Sequence, residues 1–442
     1  MKKKDIVNVV DPKKRKSKAQ QEKKKTTSKK KEQEKKKTIK KEKKLEKQKK
    51  DNIKKETKQG IEKTEIKKED KETVEEIEVE QLPLKKRIIK FIIKIGILFI
   101  GIIILITVFY ALTEYKPEAK QAAVVEGEGY YTLNVEEPFT IMTWNIGYGA
   151  LGDNADFFMD HGKMVQTADR NRINRNLYNI RARIDEVRPN IIFLQEVDIS
   201  STRAKHVDEY SLFKHHLNNY STAYATNHKV LYLLYPLTNP IGNVHSGIAT
   251  LSKYTIESAN RIQLPSPYIW PISMVNFKRC ALVSYVPIKD SDKKLVLMNV
   301  HLDAYTSDKH KEEQTKKLIK IMEQEKKKGN YVIVGGDFNQ TFSNINIKKY
   351  PIGDNVWKPG KIDISMFNEE WQLLMDTETP SARSLDQPYE NADKEKFQYY
   401  VIDGYIVSNN IEVQSIKTQD YEFTSTDHNP VLMKISLKKE SE

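Results

Sequence analysis

Apolar positions in this chain fall into one long run and a series of short ones. The long run covers residues 95–113, which carry no charge, and reaching back to Phe91 gives 23 residues broken only by Lys94. About 20 consecutive apolar residues span a bilayer core as a helix. A core helix of a soluble domain would keep a polar stripe, and this run is apolar all round. The short runs read as buried strands at residues 139–144, 191–194, 247–251, 281–286, 294–300, 331–334, 401–407 and 431–435. Between them, residues 171–187 place Ile173, Leu177, Ile180 and Ile184 at helical spacing, and residues 309–327 form a second helical segment. Strands flanked by helices in this way predict an α+β fold built as a layered sandwich.

Composition divides the chain. Residues 1–94 hold 36 Lys+Arg against 18 Asp+Glu, whereas the rest holds 39 against 43, so the net charge of +14 belongs to the N-terminal part. A basic pI therefore gives no argument for nucleic-acid binding by the folded part. Residues 1–84 are rich in Lys and Glu, and the first aromatic residue of the chain is Phe91. Too little apolar surface is present there to offset chain entropy, and a disordered tail is expected. It reads either as a solvated low-complexity segment or as a basic arm for anionic lipid or a cytoplasmic partner.

Lys85, Lys86, Arg87, Lys90 and Lys94 flank the start of the long run, while Glu114 and Glu118 follow it. The positive-inside rule then places the tail in the cytoplasm and the remainder outside the cell, with residues 85–113 as basic flank and uncleaved signal anchor. Residues 114–138 read as a tether, and residues 139–442 as the folded domain. The one cysteine, Cys280, excludes an intrachain disulfide and sits in an apolar strand as a small buried hydrophobe.

Polar residues punctuate the strand ends. Asn145 closes the first strand ahead of Gly147 and Gly149. Glu196 follows Ile-Ile-Phe-Leu-Gln, and a carboxylate at such a place needs pairing, hydration or a metal. His301 ends a strand read as Leu-Met-Asn-Val-His. Asp337 and Asn339 follow Gly335 and Gly336, Asp403 lies in Val-Ile-Asp-Gly, and Asp427-His428 precede Pro430. Singly each reads as well as a turn or structural residue. Together they supply oxygen donors for a hard divalent cation plus two histidines, a set suited to phosphoester hydrolysis.

These motifs resemble those of the endonuclease/exonuclease/phosphatase superfamily, which includes deoxyribonuclease I, apurinic endonucleases, neutral sphingomyelinases and inositol-phosphate 5-phosphatases. The resemblance covers residues 139–437. It implies a four-layer α/β/β/α sandwich with the active site at strand ends between two sheets. It also implies Glu196 as the principal Mg²⁺ ligand, with Asn145 and Asp427 lining the metal side. His428 corresponds to a histidine that activates water or contacts the phosphate, oriented by Asp403; Asp337 and Asn339 position the nucleophile and a phosphate oxygen. His301 is similar to the second histidine of deoxyribonuclease I and the sphingomyelinases. Two departures stand out: His245 and Ser246 occupy the region where a glutamate partner of that histidine is expected, and no Trp-Cys-Asp-Arg signature surrounds Asp403.

Arg203 and Arg279 read as phosphate contacts, since a guanidinium fork matches phosphate, or as structural cations. Pro265-Ser-Pro-Tyr-Ile-Trp270-Pro reads as a rim for lipid or bases, or as an ordinary loop. The expected function is Mg²⁺- or Mn²⁺-dependent hydrolysis of a phosphoester, foremost a phosphodiester of nucleic acid or a lipid head group. The rival reading is a catalytically silent, membrane-anchored binding module.

Overall fold

The computed structural model describes residues 84–354 and 356–439; the expected disordered tail falls outside the described residues, Leu84 excepted. Two seven-stranded sheets form the centre. One runs β1 (Lys120–Ala123), β7 (Ser258–Gln263), β8 (Cys280–Pro287), β9 (Lys294–His301), β10 (Tyr331–Asp337), β16 (Asp403–Ser408) and β13 (Trp371–Leu374). The other runs β17 (Ile411–Thr418), β18 (Val431–Leu437), β3 (Phe139–Asn145), β4 (Ile191–Asp198), β6 (Gly242–Ser252), β5 (Ser221–Leu233) and β2 (Val125–Glu126). Two short ribbons pair β11 (Gln340–Phe342) with β12 (Gly360–Ile362) and β14 (Ala382–Arg383) with β15 (Tyr399–Tyr400). Among the described residues the α-helices are α1 (Leu84–Thr113), α2 (Arg170–Val187), α3 (Glu209–His216) and α4 (Asp308–Lys326).

Period-two alternation explains the layers, because successive strand residues face opposite sides of a sheet. In β3, Phe139 and Ile141 enter the core between the sheets, while Met142 and Trp144 pack toward Ile173, Leu177 and Ile180 of α2. In β9, Leu295 and Leu297 face the other sheet, and Val296, Met298 and Val300 face Leu318 and Met322 of α4. Helix, sheet, sheet, helix is the expected four-layer α/β/β/α sandwich. Helix α2 starts where Asp169 caps it, its carboxylate accepting from the Arg172 N–H, and ends as Arg188 turns left-handed at φ 51°.

The segment expected to be a tether departs from that reading. Residues 114–138 contain β1, which pairs with β7 of one sheet, and β2, which pairs with β5 of the other. Edge pairing uses backbone groups alone and needs no apolar signature, so hydropathy does not reveal it. Among the described residues one helix, Lys86–Thr113, is long and apolar enough to cross a membrane, and its side chains lie exposed.

Sheet geometry imposes one severe local demand. Gly336 has φ 147° opposite Val300 in the parallel β9–β10 pair, and a Cβ there would lie 1.9 Å from the Val300 carbonyl oxygen. Gly336→Ala should therefore lower stability by about 2–4 kcal/mol, since the backbone must move. A urea midpoint equal to that of the parent chain would contradict this.

Candidate active site

The inward faces of the central strands change character toward one end. Behind the apolar layer lies a layer of buried amides: Gln195 Nε2 donates to Asn299 Oδ1 at 2.8 Å, and Asn299 Nδ2 donates to the carbonyls of Leu194 and Ala249. These bonds tie the two sheets together. One step beyond, on the same inward parity, come Asn145, His301, Asp337 and Asp403.

Asp337 sits at the centre. Its Oδ2 accepts from Asn145 Nδ2 at 3.0 Å and from Asn339 Nδ2 at 3.3 Å, and lies 3.4 Å from His301 Nε2 and 3.8 Å from His428 Nε2. Asp337 Oδ1 accepts the Asn339 N–H at 2.8 Å. Burial, reinforced by the Asp403 carboxylate, pushes Asp337 up to about 7. His428 donates through Nδ1 to Asp403 Oδ2 at 2.8 Å. Burial disfavours its cation, but Asp403, Asp427 and Asp337 together outweigh that and lift His428 to about 10.

Glu196 owes its aim to an irregularity. The β4–β6 register shifts between Leu194 and Val197, and Glu196 takes φ 54° in that bulge. A bulge redirects a side chain that strict alternation would send elsewhere. Its Oε1 lies 3.9 Å from His301 Nε2, and burial raises its pKa, with Arg203 opposing. Asp427 Oδ2 is 3.9 Å from His428 Nε2, which closes the ring of groups. Asn145 is fixed by the Gly147 N–H, which donates to its Oδ1 at 3.0 Å, within a run where Gly147, Tyr148 and Gly149 all have positive φ. Asp337, Asp403 and His428 also offer ligand atoms within 4.8 Å of one another. The surrounding cavity measures about 380 Å³.

A family model, the Endonuclease/Exonuclease/phosphatase family, matches residues 142–391, more than half of the chain. The chain belongs to this family. It is accordingly a metal-dependent phosphoester hydrolase. Asp403, Asp427 and His428 lie beyond the matched span, and folding returns them to residues within it. Several solved structures are similar to the chain at low identity. An endonuclease/exonuclease/phosphatase protein from Beutenbergia cavernae is 16% identical over 69% of this chain and 72% of that one, with TM-score 0.46. One from Bacteroides vulgatus is 15% identical over 69% and 100%, with TM-score 0.44. The human nocturnin catalytic domain with bound sulfate is 14% identical over 72% and 97%, with TM-score 0.42. Comparison with curated proteins found no match.

Both arginines line the cavity of this family member. Arg203 spends Nε and Nη2 on Asp198, each at 2.9 Å, and stacks 3.7 Å over the Tyr148 ring. Arg279 gives Nε to Asp303 at 3.1 Å, while its buried Nη1 has no partner among the described residues. His301 Nδ1 is likewise buried without one, and burial, followed by the Arg279 charge, pushes this imidazole's pKa well below its ordinary value. His245 bonds Thr226 instead. Sequence reasoning missed Tyr148, Asp198, and the Asp160–Tyr305 pair, where the Tyr305 hydroxyl donates at 2.8 Å. Asp198 and Asp303, adjacent to strand ends already singled out, carried a signal; Tyr148 and Tyr305 carried none.

Proposed function

We propose that this chain is a single-pass, membrane-anchored, Mg²⁺-dependent phosphodiesterase whose catalytic domain, residues 139–442, faces the cell exterior. Residues 85–113 form its anchor and residues 1–84 its cytoplasmic tail. The convergence of Asn145, Glu196, His301, Asp337, Asn339, Asp427 and His428 on one cavity, with Asp403 bonded to His428 behind it, carries the reading.

The donor set supports Mg²⁺ or Mn²⁺. Glu196 and Asp427 contribute carboxylates beside the Asn145 amide, hard oxygen donors, and the one cysteine lies within β8. Asp337, Asp403 and His428 are less suited to hold the ion, because His428, lifted to about 10 by the carboxylates around it, keeps a proton on both ring nitrogens and has no lone pair to offer. A divalent cation held at Glu196 supplies positive charge to the phosphate oxygens as negative charge develops.

The chain's own groups then divide the remaining work. Asp337, lifted toward neutrality, is poised to accept a proton from the attacking water, which Asn339 helps to orient. His428 is a cation at neutral pH, so it binds a phosphate oxygen or protonates the leaving oxygen, held in place by Asp403. Arg279, held by Asp303 in the cavity wall, adds positive charge beside the phosphate. Arg203, anchored on Asp198, contributes mainly field.

One experiment tests activity and orientation together. Spheroplasts displaying the full chain should hydrolyse externally added bis(p-nitrophenyl) phosphate in the presence of Mg²⁺ or Mn²⁺, and external protease should abolish the signal. Spheroplasts carrying a Glu196→Ala chain supply the background. Turnover that appears only after lysis would reverse the orientation; no turnover above background with either ion would return the chain to a binding role.

A further inference from the structure

The C-terminal end of α1 is fastened to the walls of the active-site cavity. The Tyr110 hydroxyl donates to the Tyr232 carbonyl at 3.0 Å and accepts from the Leu234 N–H at 3.2 Å, both on the β5–β6 hairpin. Just past the helix, Glu114 accepts from Lys278 Nζ at 3.0 Å. The same two segments line the cavity, through Leu233, Tyr235 and Val244 on the hairpin and Val275 and Phe277 before β8.

Both segments end in exposed apolar tips. Leu237 is 82% exposed, Ile269 77% and Trp270 64%, with Leu231, Tyr235 and Ile272 also above half. In a chain that is 31% charged, no Asp, Glu, Lys or Arg occurs at residues 230–252 or 262–277. Exposed loops of soluble domains are normally polar, and clustered apolar tips of this kind mark an interaction surface. With 30 residues, α1 is roughly 45 Å long, enough to cross the hydrocarbon core and reach the head groups. Its last turn therefore lies at the interface, where Trp and Tyr are favoured, and Tyr110 and Glu114 tie both segments to it there.

We propose that the β5–β6 hairpin and the 265–277 segment seat in the outer head-group layer of the anchoring membrane, and that the substrate is a phospholipid of that membrane. This rests on the phosphodiesterase reading above and adds the substrate class. A nucleic-acid groove would present cations to the backbone, and this rim has none. In the reaction, the oxygen of one water bonds to phosphorus and one ester P–O bond breaks. The departing oxygen takes a proton, which leaves an alcohol and a phosphomonoester.

The test uses the full chain in vesicles of phosphatidylglycerol, phosphatidylcholine and sphingomyelin with Mg²⁺, with phosphomonoester release followed by ³¹P NMR. The same samples receive bis(p-nitrophenyl) phosphate and, separately, single-stranded DNA. Lipid hydrolysis is expected. Leu237→Ser combined with Trp270→Ser, at two exposed positions outside the cavity wall, should reduce it roughly tenfold through lost interfacial burial. Turnover of the soluble ester should stay within twofold. Cleavage of the soluble ester or DNA without lipid hydrolysis overturns the lipid proposal and leaves the phosphodiesterase reading intact. An equal loss on lipid and soluble ester, or no loss on lipid, overturns the role of the rim. Failure on every substrate removes both readings.

Discussion

Glu196→Ala should lose about 10³-fold in turnover of bis(p-nitrophenyl) phosphate, the scale of removing a group that directly stabilises charge in the transition state. It should do so without loss of metal-free stability. Glu196 takes a left-handed backbone conformation, its carboxylate is disfavoured by burial, and its one described ion-pair contact is His301 Nε2 at 3.9 Å. Arg203 offsets only part of that burial cost, since the net shift is still upward, whereas a bound cation would offset more of it. The parent chain should thus gain thermal stability on addition of Mn²⁺, and the variant should not. Retained turnover, or an undiminished Mn²⁺-induced shift, would sink the assignment of this carboxylate.

Asp403→Asn carries the second large effect. Asp403 is the strongest of the three carboxylates that raise His428, and its Oδ2 fixes the imidazole at 2.8 Å. An asparagine removes the charge, so the imidazole should lose its proton closer to its ordinary value. In chelator, an NMR titration of the His428 ring should move from about 10 downward by at least a unit. Turnover near pH 8 should fall about 10²–10⁴-fold, because the imidazole loses the carboxylate that orients it and part of the stabilisation of its cation. The stability consequence has a definite sign. Since the folded pKa lies above the unfolded one, the pair stabilises fully below about pH 6.5, and this contribution fades as pH rises toward 10. Asp403→Asn should flatten that slope. An unchanged ring titration would contradict the coupling.

Much of this was legible along the chain because the strands that build the site are buried on both faces. Runs such as Ile-Ile-Phe-Leu before Glu196 and Tyr-Val-Ile-Val before Asp337 stand out in hydropathy, and their polar ends mark where the core gives way to a cavity. Strands exposed on one side, such as β17 with its glutamate, glutamine and lysine, left no such trace. The edge strands β1 and β2 were hidden for the same reason. Contacts between distant residues were beyond sequence reasoning altogether. The guanidinium of Arg203 goes to Asp198, the bulge turns Glu196 inward, and among the described residues His301 Nδ1 has no partner where the family resemblance would supply one. Apolar tips at Trp270 and Leu237 acquire meaning only when Tyr110 and Glu114 fasten their segments to the end of α1.

A crystal of the full chain soaked in Mn²⁺, with data collected near the manganese absorption edge, asks the central question directly. One anomalous peak at coordination distance from the Glu196 carboxylate, on the side of Asn145 and Asp427, is the expected result. A peak seated instead among Asp337, Asp403 and His428 with Glu196 uninvolved, or no peak in the cavity, would contradict it.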